Sequence, residues 1–196
     1  MSSSALESET AAHGGHANHN LTGFIIFLCS ESVIFLAFFS GYAVLKLSAL
    51  NWLPEGVEGL EWRTPLLNTI VLVSSSFTMV AAEHFKAKEN LWLFRAFWLL
   101  TMAMGAYFLV GQAVEWRGLN FGFTSGTFGG TFYLLTGFHG LHVATGILLM
   151  AIMLWRSFLP GIYEGGEQGV QATSLFWHFV DVIWILLFVL IYVWQG

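Results

Sequence analysis

The chain has 196 residues, of which 56% are hydrophobic and only 10% charged, with a formal net charge of −5. Its few Lys and Arg residues form no nucleic-acid surface, and a lone cysteine, Cys29, excludes an internal disulfide and any multi-cysteine metal site. Charges bunched between long apolar runs mark a protein whose solvent is lipid.

Residues 1–20 are rich in Ser, Ala, Glu and His, with no basic n-region and no cleavable apolar stretch before Leu21. They read as a disordered polar tail rather than a signal peptide. His13, His16 and His19 could meet a metal there, but a flexible polar tail is the preferred reading. From 21 to 196 the chain reads as one domain. A bilayer core takes ~20 apolar residues at ~1.5 Å each. Five windows qualify, at approximately 24–47, 66–85, 91–114, 128–155 and 175–194. The expected fold is all-α, an integral membrane bundle of five transmembrane helices.

The connections carry breakers and charges. The first holds Pro54 and Pro65 with Glu55, Glu58 and Glu61, and the second Lys86, Lys88 and Glu89. Arg117, Gly118 and Gly122 mark the third, and Arg156 through Pro160, Gly161, Gly165 and Gly166 the fourth. With the N-terminus cytoplasmic, Lys86, Lys88, Arg95 and Arg156 lie inside against Lys46, Arg63 and Arg117 outside, an excess of basic charge on the inner side. Thr136, Gly140 and Ala144 form a small-residue stripe, led into by Gly126 and Gly130, that predicts a close helix contact. Trp52, Trp62, Trp92, Trp116, Trp155, Trp177 and Trp194 read as interfacial anchors.

Glu31, between Ser30 and Ser32, falls inside the first helix, ~10 Å from its first apolar turn. A carboxylate there must face the bundle, find a polar partner or stay protonated. An antiparallel second helix would offer Ser75, Ser76 and Thr78 as partners. An interhelical tie and a proton-exchanging site both fit.

His139 and His142 lie three apart on one helix, as do His178 and Asp181 on the next, so each pair shares a face. A buried polar network linking these four to Glu31 across helices one, four and five is expected. The histidines offer only one level for a heme, and at most three ligands for copper or zinc, so a hydrogen-bond network is the preferred reading and no metal site is expected. Glu83, His84 and Glu115 stand at helix ends and read as solvated. Arg156 closes helix four and suits a phospholipid headgroup as well as an orientation signal.

Five stretches then carry a family resemblance: Leu28-Cys29-Ser30-Glu31-Ser32-Val33-Ile34-Phe35, Pro65-Leu66-Leu67-Asn68-Thr69, Gly130-Thr131-Phe132-Tyr133, Gly137-Phe138-His139-Gly140-Leu141-His142-Val143 and Trp177-His178-Phe179-Val180-Asp181-Val182-Ile183-Trp184. Together they resemble subunit III of the heme–copper respiratory oxidases, of a short five-helix bacterial type. The resemblance implies a complex that reduces dioxygen to water and pumps protons, with hemes and copper on subunits I and II and no cofactor in this chain. It implies a non-catalytic subunit that contacts subunit I, binds phospholipid, sustains proton uptake and protects the active site during turnover.

By the same resemblance Glu31 matches the family's carbodiimide-reactive acid, and Arg156 a basic residue associated with lipid headgroups. Longer members carry two further helices before the acid, with a lipid cleft between those two and the other five. Here the cleft is either open or walled by another subunit. The implied location is a bacterial energy-transducing membrane, the inner membrane or an internal one, with cytochrome c the preferred donor on overall similarity and a quinol oxidase subunit III the alternative. A proton or solute transporter is the competing class, against which stands the absence of a visible inverted repeat.

Overall fold

A computed structural model describes residues 3–54, 57, 59–159 and 167–195, with residues 3–20 and 167 described by backbone alone. Glu55, Glu58, Pro160, Gly161, Gly165 and Gly166, and the side chains of His13, His16 and His19, lie outside the described residues. Helix α1 is traced from Ser3 to Ser48, α2 over Arg63–Ala87, α3 over Leu91–Gly118, α4 over Gly126–Arg156 and α5 over Glu167–Phe188. A π-helical turn, Val189–Val193, extends α5. Each helix has a segment long and apolar enough to cross a bilayer, beginning in α1 at Leu21 and ending in the π turn at Val193.

The membrane-crossing segments begin up to seven residues before the hydrophobic windows, and those of α1 to α4 end up to four residues after them, because backbone bonding continues into polar flanks where hydropathy stops. Pro65, expected as a loop breaker, sits in the first turn of α2, where its missing N–H has no helical partner to lose. The turn between α2 and α3 is a Schellman closure. Glu89 adopts φ 58°, its N–H bonds Lys86 O at 2.9 Å, and Asn90 N–H bonds Phe85 O at 3.0 Å. Asn90 Oδ1 then caps α3 by accepting from Leu93 N–H at 3.2 Å.

Helices α2, α3, α4 and α5 close into a ring, with α2 and α3 the most extensive pair, and α1 lies outside it against α5 and α4. The expected pairing of α1 with α2 is thereby corrected: α5 occupies that place. Three indoles tie the ring together. Trp98 Nε1–H of α3 donates to Met150 O at 2.9 Å, Trp177 Nε1–H of α5 to Ser75 Oγ at 2.8 Å, and Trp184 Nε1–H to Thr69 Oγ1 at 2.8 Å. Trp177 is fully buried and no interfacial anchor, whereas Trp62, Trp92 and Trp155 are exposed.

The close helix contacts fall elsewhere than the predicted stripe. Thr136 is buried, but Ala144 is exposed, and a methyl on Gly140 would meet only Leu109 at an ordinary 3.8 Å. The tight points are Gly105 and Gly146, which both admit the six-membered ring of the Trp177 indole, and Gly111, against which Asn68 lies. At the far end, Lys46 Nζ of α1 donates to Trp194 O and lies 4.5 Å from that indole ring. The Gln195 amide accepts from Leu60 N–H at 2.8 Å and donates to Leu60 O at 3.1 Å, latching the chain's end to the first connection.

Candidate functional site

Glu31 lies ~15 Å along α1 from Leu21. Its side chain, 17% exposed, meets one recorded partner, His142 of α4, with Nε2 3.1 Å from Oε2. Ser30 and Ser32 donate to Phe27 O and Leu28 O of their own helix, at 2.7 and 2.8 Å. Ser75, Ser76 and Thr78 serve other groups: Ser75 accepts from Trp177, Ser76 meets α5, and Thr78 Oγ1 lies 2.7 Å from Thr101 Oγ1. The serines of α2 are therefore not the partners of Glu31, because α5 stands between the two helices.

The other nitrogen of His142 fixes the chemistry. Nδ1 lies 2.8 Å from Phe138 O, and a carbonyl only accepts, so Nδ1 carries hydrogen. Nε2 then either accepts from a protonated Glu31 or, in an imidazolium, donates to a carboxylate. Both arrangements place one proton between Nε2 and Oε2. Phe138 and Phe35 meet the imidazole edge-on at 4.7 and 5.0 Å, and Phe176 stacks on it at 6.2 Å.

The remaining polar residues of the expected network divide rather than join. His178 and Asp181 of α5 turn toward α2, where Ser76 Oγ lies 2.9 Å from His178 Nδ1 and bonds Asp181 Oδ2. Asp181 Oδ1 is buried without a partner. His139 is fully buried, tilted on Trp184 at 4.9 Å and edge-on to Phe108 at 5.7 Å, and neither ring nitrogen finds a partner.

Glu115, expected to be solvated, is half-buried. Tyr192 Oη donates to its Oε1 at 2.8 Å and Gln112 Nε2 to its Oε2 at 3.1 Å. The signal for this cluster was the three-residue spacing of Gln112 and Glu115, but nothing in the sequence placed Tyr192 opposite them. Arg95 bonds Ser157 Oγ at 3.1 Å and Ser157 O, neutralising the carbonyl end of α4, and its guanidinium lies 4.0 Å over the Phe158 ring. Arg156, half-buried in the last turn of α4, stands beside the exposed Trp155.

The family model for cytochrome c oxidase subunit III matches residues 4–196. Cytochrome c oxidase subunit 3 of Synechocystis sp. is 43% identical over 194 residues, covering 98% of this chain and 83% of that protein. The chain belongs to the cytochrome c oxidase subunit III family. The counterpart from Thermostichus vulcanus is 42% identical over 179 residues, covering 91% of this chain and 89% of its own length. That from Lumbricus terrestris is 38% identical and longer, the match covering 69% of it.

As a subunit III, the chain is a multi-pass membrane component of a heme–copper oxidase. Among the described residues no group of three or more His, Cys, Asp or Glu side chains stands where it could hold a metal ion. His142 is committed at both nitrogens, His178 Nδ1 is held by Ser76, and Cys29 lies exposed on α1.

Proposed function

We propose that this subunit III is a non-catalytic scaffold of a proton-pumping cytochrome c oxidase, with the electron-carrying hemes and copper on subunits I and II. It contacts subunit I, holds phospholipid near Arg156, supports proton uptake from the cytoplasmic side and sustains the complex during turnover. The N-terminus is cytoplasmic, so the end carrying Lys86, Lys88 and Arg156 faces inward in a bacterial inner or internal membrane. Residues 1–20 extend from that face as a polar tail. The observation that carries this reading is Glu31 with His142: a carboxyl deep in α1, at the edge of the bundle, within hydrogen-bond distance of a single imidazole that phenylalanine rings surround.

Removing the subunit from the purified oxidase tests the proposal. The visible spectrum should stay unchanged, and dioxygen consumption should begin at a comparable rate at low pH, fall at higher pH and decay during turnover. Loss of a heme signal, or survival across the pH range without the subunit, would overturn it. Parallel runs with added phospholipid separate loss of lipid from loss of protein. Identifying the copurifying subunit II as bearing or lacking a two-cysteine copper site decides between cytochrome c and quinol as donor.

A further inference from the structure

The cluster between α2 and α5 holds two features that packing does not explain. The Ser76 hydroxyl is shared between His178 Nδ1 and Asp181 Oδ2, and Asp181, only 4% exposed, keeps Oδ1 without a partner. A serine hydroxyl has one hydrogen to give. When it donates to Asp181, His178 Nδ1 must carry hydrogen and donate to Ser76 Oγ. When it donates to His178, Asp181 must be protonated and donate to Ser76. The three groups form a chain of two hydrogen bonds that runs in either direction.

We propose that His178, Ser76 and Asp181 form a proton-exchange site, separate from Glu31 and His142, that loads at the imidazole and stores the proton on Asp181. His178 is half-buried and Asp181 buried, so the imidazole is the accessible end. The starting state has hydrogen on Nδ1 and on Ser76 Oγ, with Asp181 a carboxylate. A proton binds Nε2 and makes an imidazolium. The Nδ1–H bond then breaks as Ser76 Oγ takes that hydrogen, and the original Ser76 O–H breaks as its hydrogen passes to Asp181 Oδ2. The products are a neutral imidazole with hydrogen on Nε2, a restored hydroxyl and a carboxylic acid. One proton has entered, and no oxidant or reductant is needed.

The same two helices carry an open cavity of about 390 Å³ on the side of the Lys86 end, lined by Glu83, Lys86, Ala87, Val170 and Gln171. Glu83 stands seven residues from Ser76, and Gln171 seven from His178, so each is two turns away on the same helix face, ~10 Å. Glu83 lines that cavity and is the charged residue of α2 nearest to Ser76 along the helix. Helix α4 presents His142 to the Phe176 side of α5, already engaged by Glu31 of α1, and α3 brings Thr101 and Met104 to Thr78.

Infrared spectra of the intact oxidase, recorded through an acid-to-alkaline titration with each variant subtracted from wild type, test the proposal. Asp181→Asn should remove one protonated-carboxyl band that grows on acidification and shifts in deuterium oxide. Ser76→Ala should change the pH response and the deuterium exchange of that band, and Ser76→Thr, which keeps a hydroxyl, should restore both. Glu31→Gln should leave the band in place, which separates this site from the one under Proposed function. Should Asp181→Asn fail to assemble, His178→Gln takes its place and should abolish the band's pH response. No band lost with Asp181, or a band indifferent to Ser76→Ala and His178→Gln, overturns the proposal.

Discussion

The indole of Trp177 is closed in by Gly146. A methyl on Gly146 would stand 2.8 Å from Trp177 Cε3, and a methyl on Gly105 would stand 2.5 Å from Cη2 of the same ring. The indole is also held by its hydrogen bond to Ser75, so its freedom to yield is small.

Gly146→Ala and Gly105→Ala should therefore destabilise the bundle. Alanine favours a helix by ~1 kcal/mol over glycine, but overpacking a closed contact costs ~1–3 kcal/mol, and with the ring so held the second effect wins. Gly140→Ala meets only a 3.8 Å contact and should be neutral or slightly stabilising. Thermal unfolding in one detergent ranks the three, and equal losses would show that the ring is free to move.

Glu31 should be the residue that hydrophobic carbodiimide labels, since the reagent partitions into lipid and reacts with protonated carboxyls. Labelling should vanish in Glu31→Gln and persist in Asp181→Asn. Peptide mapping checks both. Labels on Glu61 and Glu83 with none on Glu31 would mean an ionised acid in contact with water.

Lys46 and Gln195 clamp the same end of the molecule by different means. A hydrogen bond from a charged group is worth ~1.5–3 kcal/mol and a neutral one ~0.5–1.5 kcal/mol, so Lys46→Met, which loses one charged bond, and Gln195→Ala, which loses three neutral ones, should loosen the end by comparable amounts. Both act on neighbouring residues of one terminal turn, so their effects should not add. Amide hydrogen exchange over Val189–Val193 reads the loosening. Unchanged protection in the double variant would show that the clamp is unnecessary.

The number of helices, their approximate bounds and the family were legible because lipid imposes long apolar runs, and because the Glu31, His142 and His178 segments carry distinctive residues. The neighbour relations were not. Depth along a helix can be counted, and it set Glu31 near His142, but which helix stands beside which depends on packing that a sequence does not order. Ser76 was therefore assigned to Glu31 when it serves His178 and Asp181. Gly146 drew no notice because its partner, Trp177, reads as an anchor when counted from the end of a window that began at 175. Glu115 was misjudged for a related reason: its position near a helix end says nothing of the π turn that brings Tyr192 across to it.

That last contact yields a graded prediction. The Glu115 carboxyl accepts from Tyr192 and from Gln112, both of which are buried, so removing the acceptor leaves two donors without partners. A buried group stripped of its hydrogen bond costs ~1–3 kcal/mol, so Glu115→Leu should be severely destabilising. Glu115→Gln keeps an amide oxygen for Tyr192 but points its NH2 at the NH2 of Gln112. That conflict is relieved when the Gln112 amide turns over and presents its oxygen, so the loss should be smaller. Tyr192→Phe removes one donor and leaves the carboxyl bonded to Gln112, giving a loss of the single-bond size. In a double-mutant cycle, Glu115→Leu combined with Tyr192→Phe should be less damaging than the sum, because the second change removes a donor that the first had orphaned. Strict additivity in thermal unfolding would show that Tyr192 and Glu115 do not depend on one another.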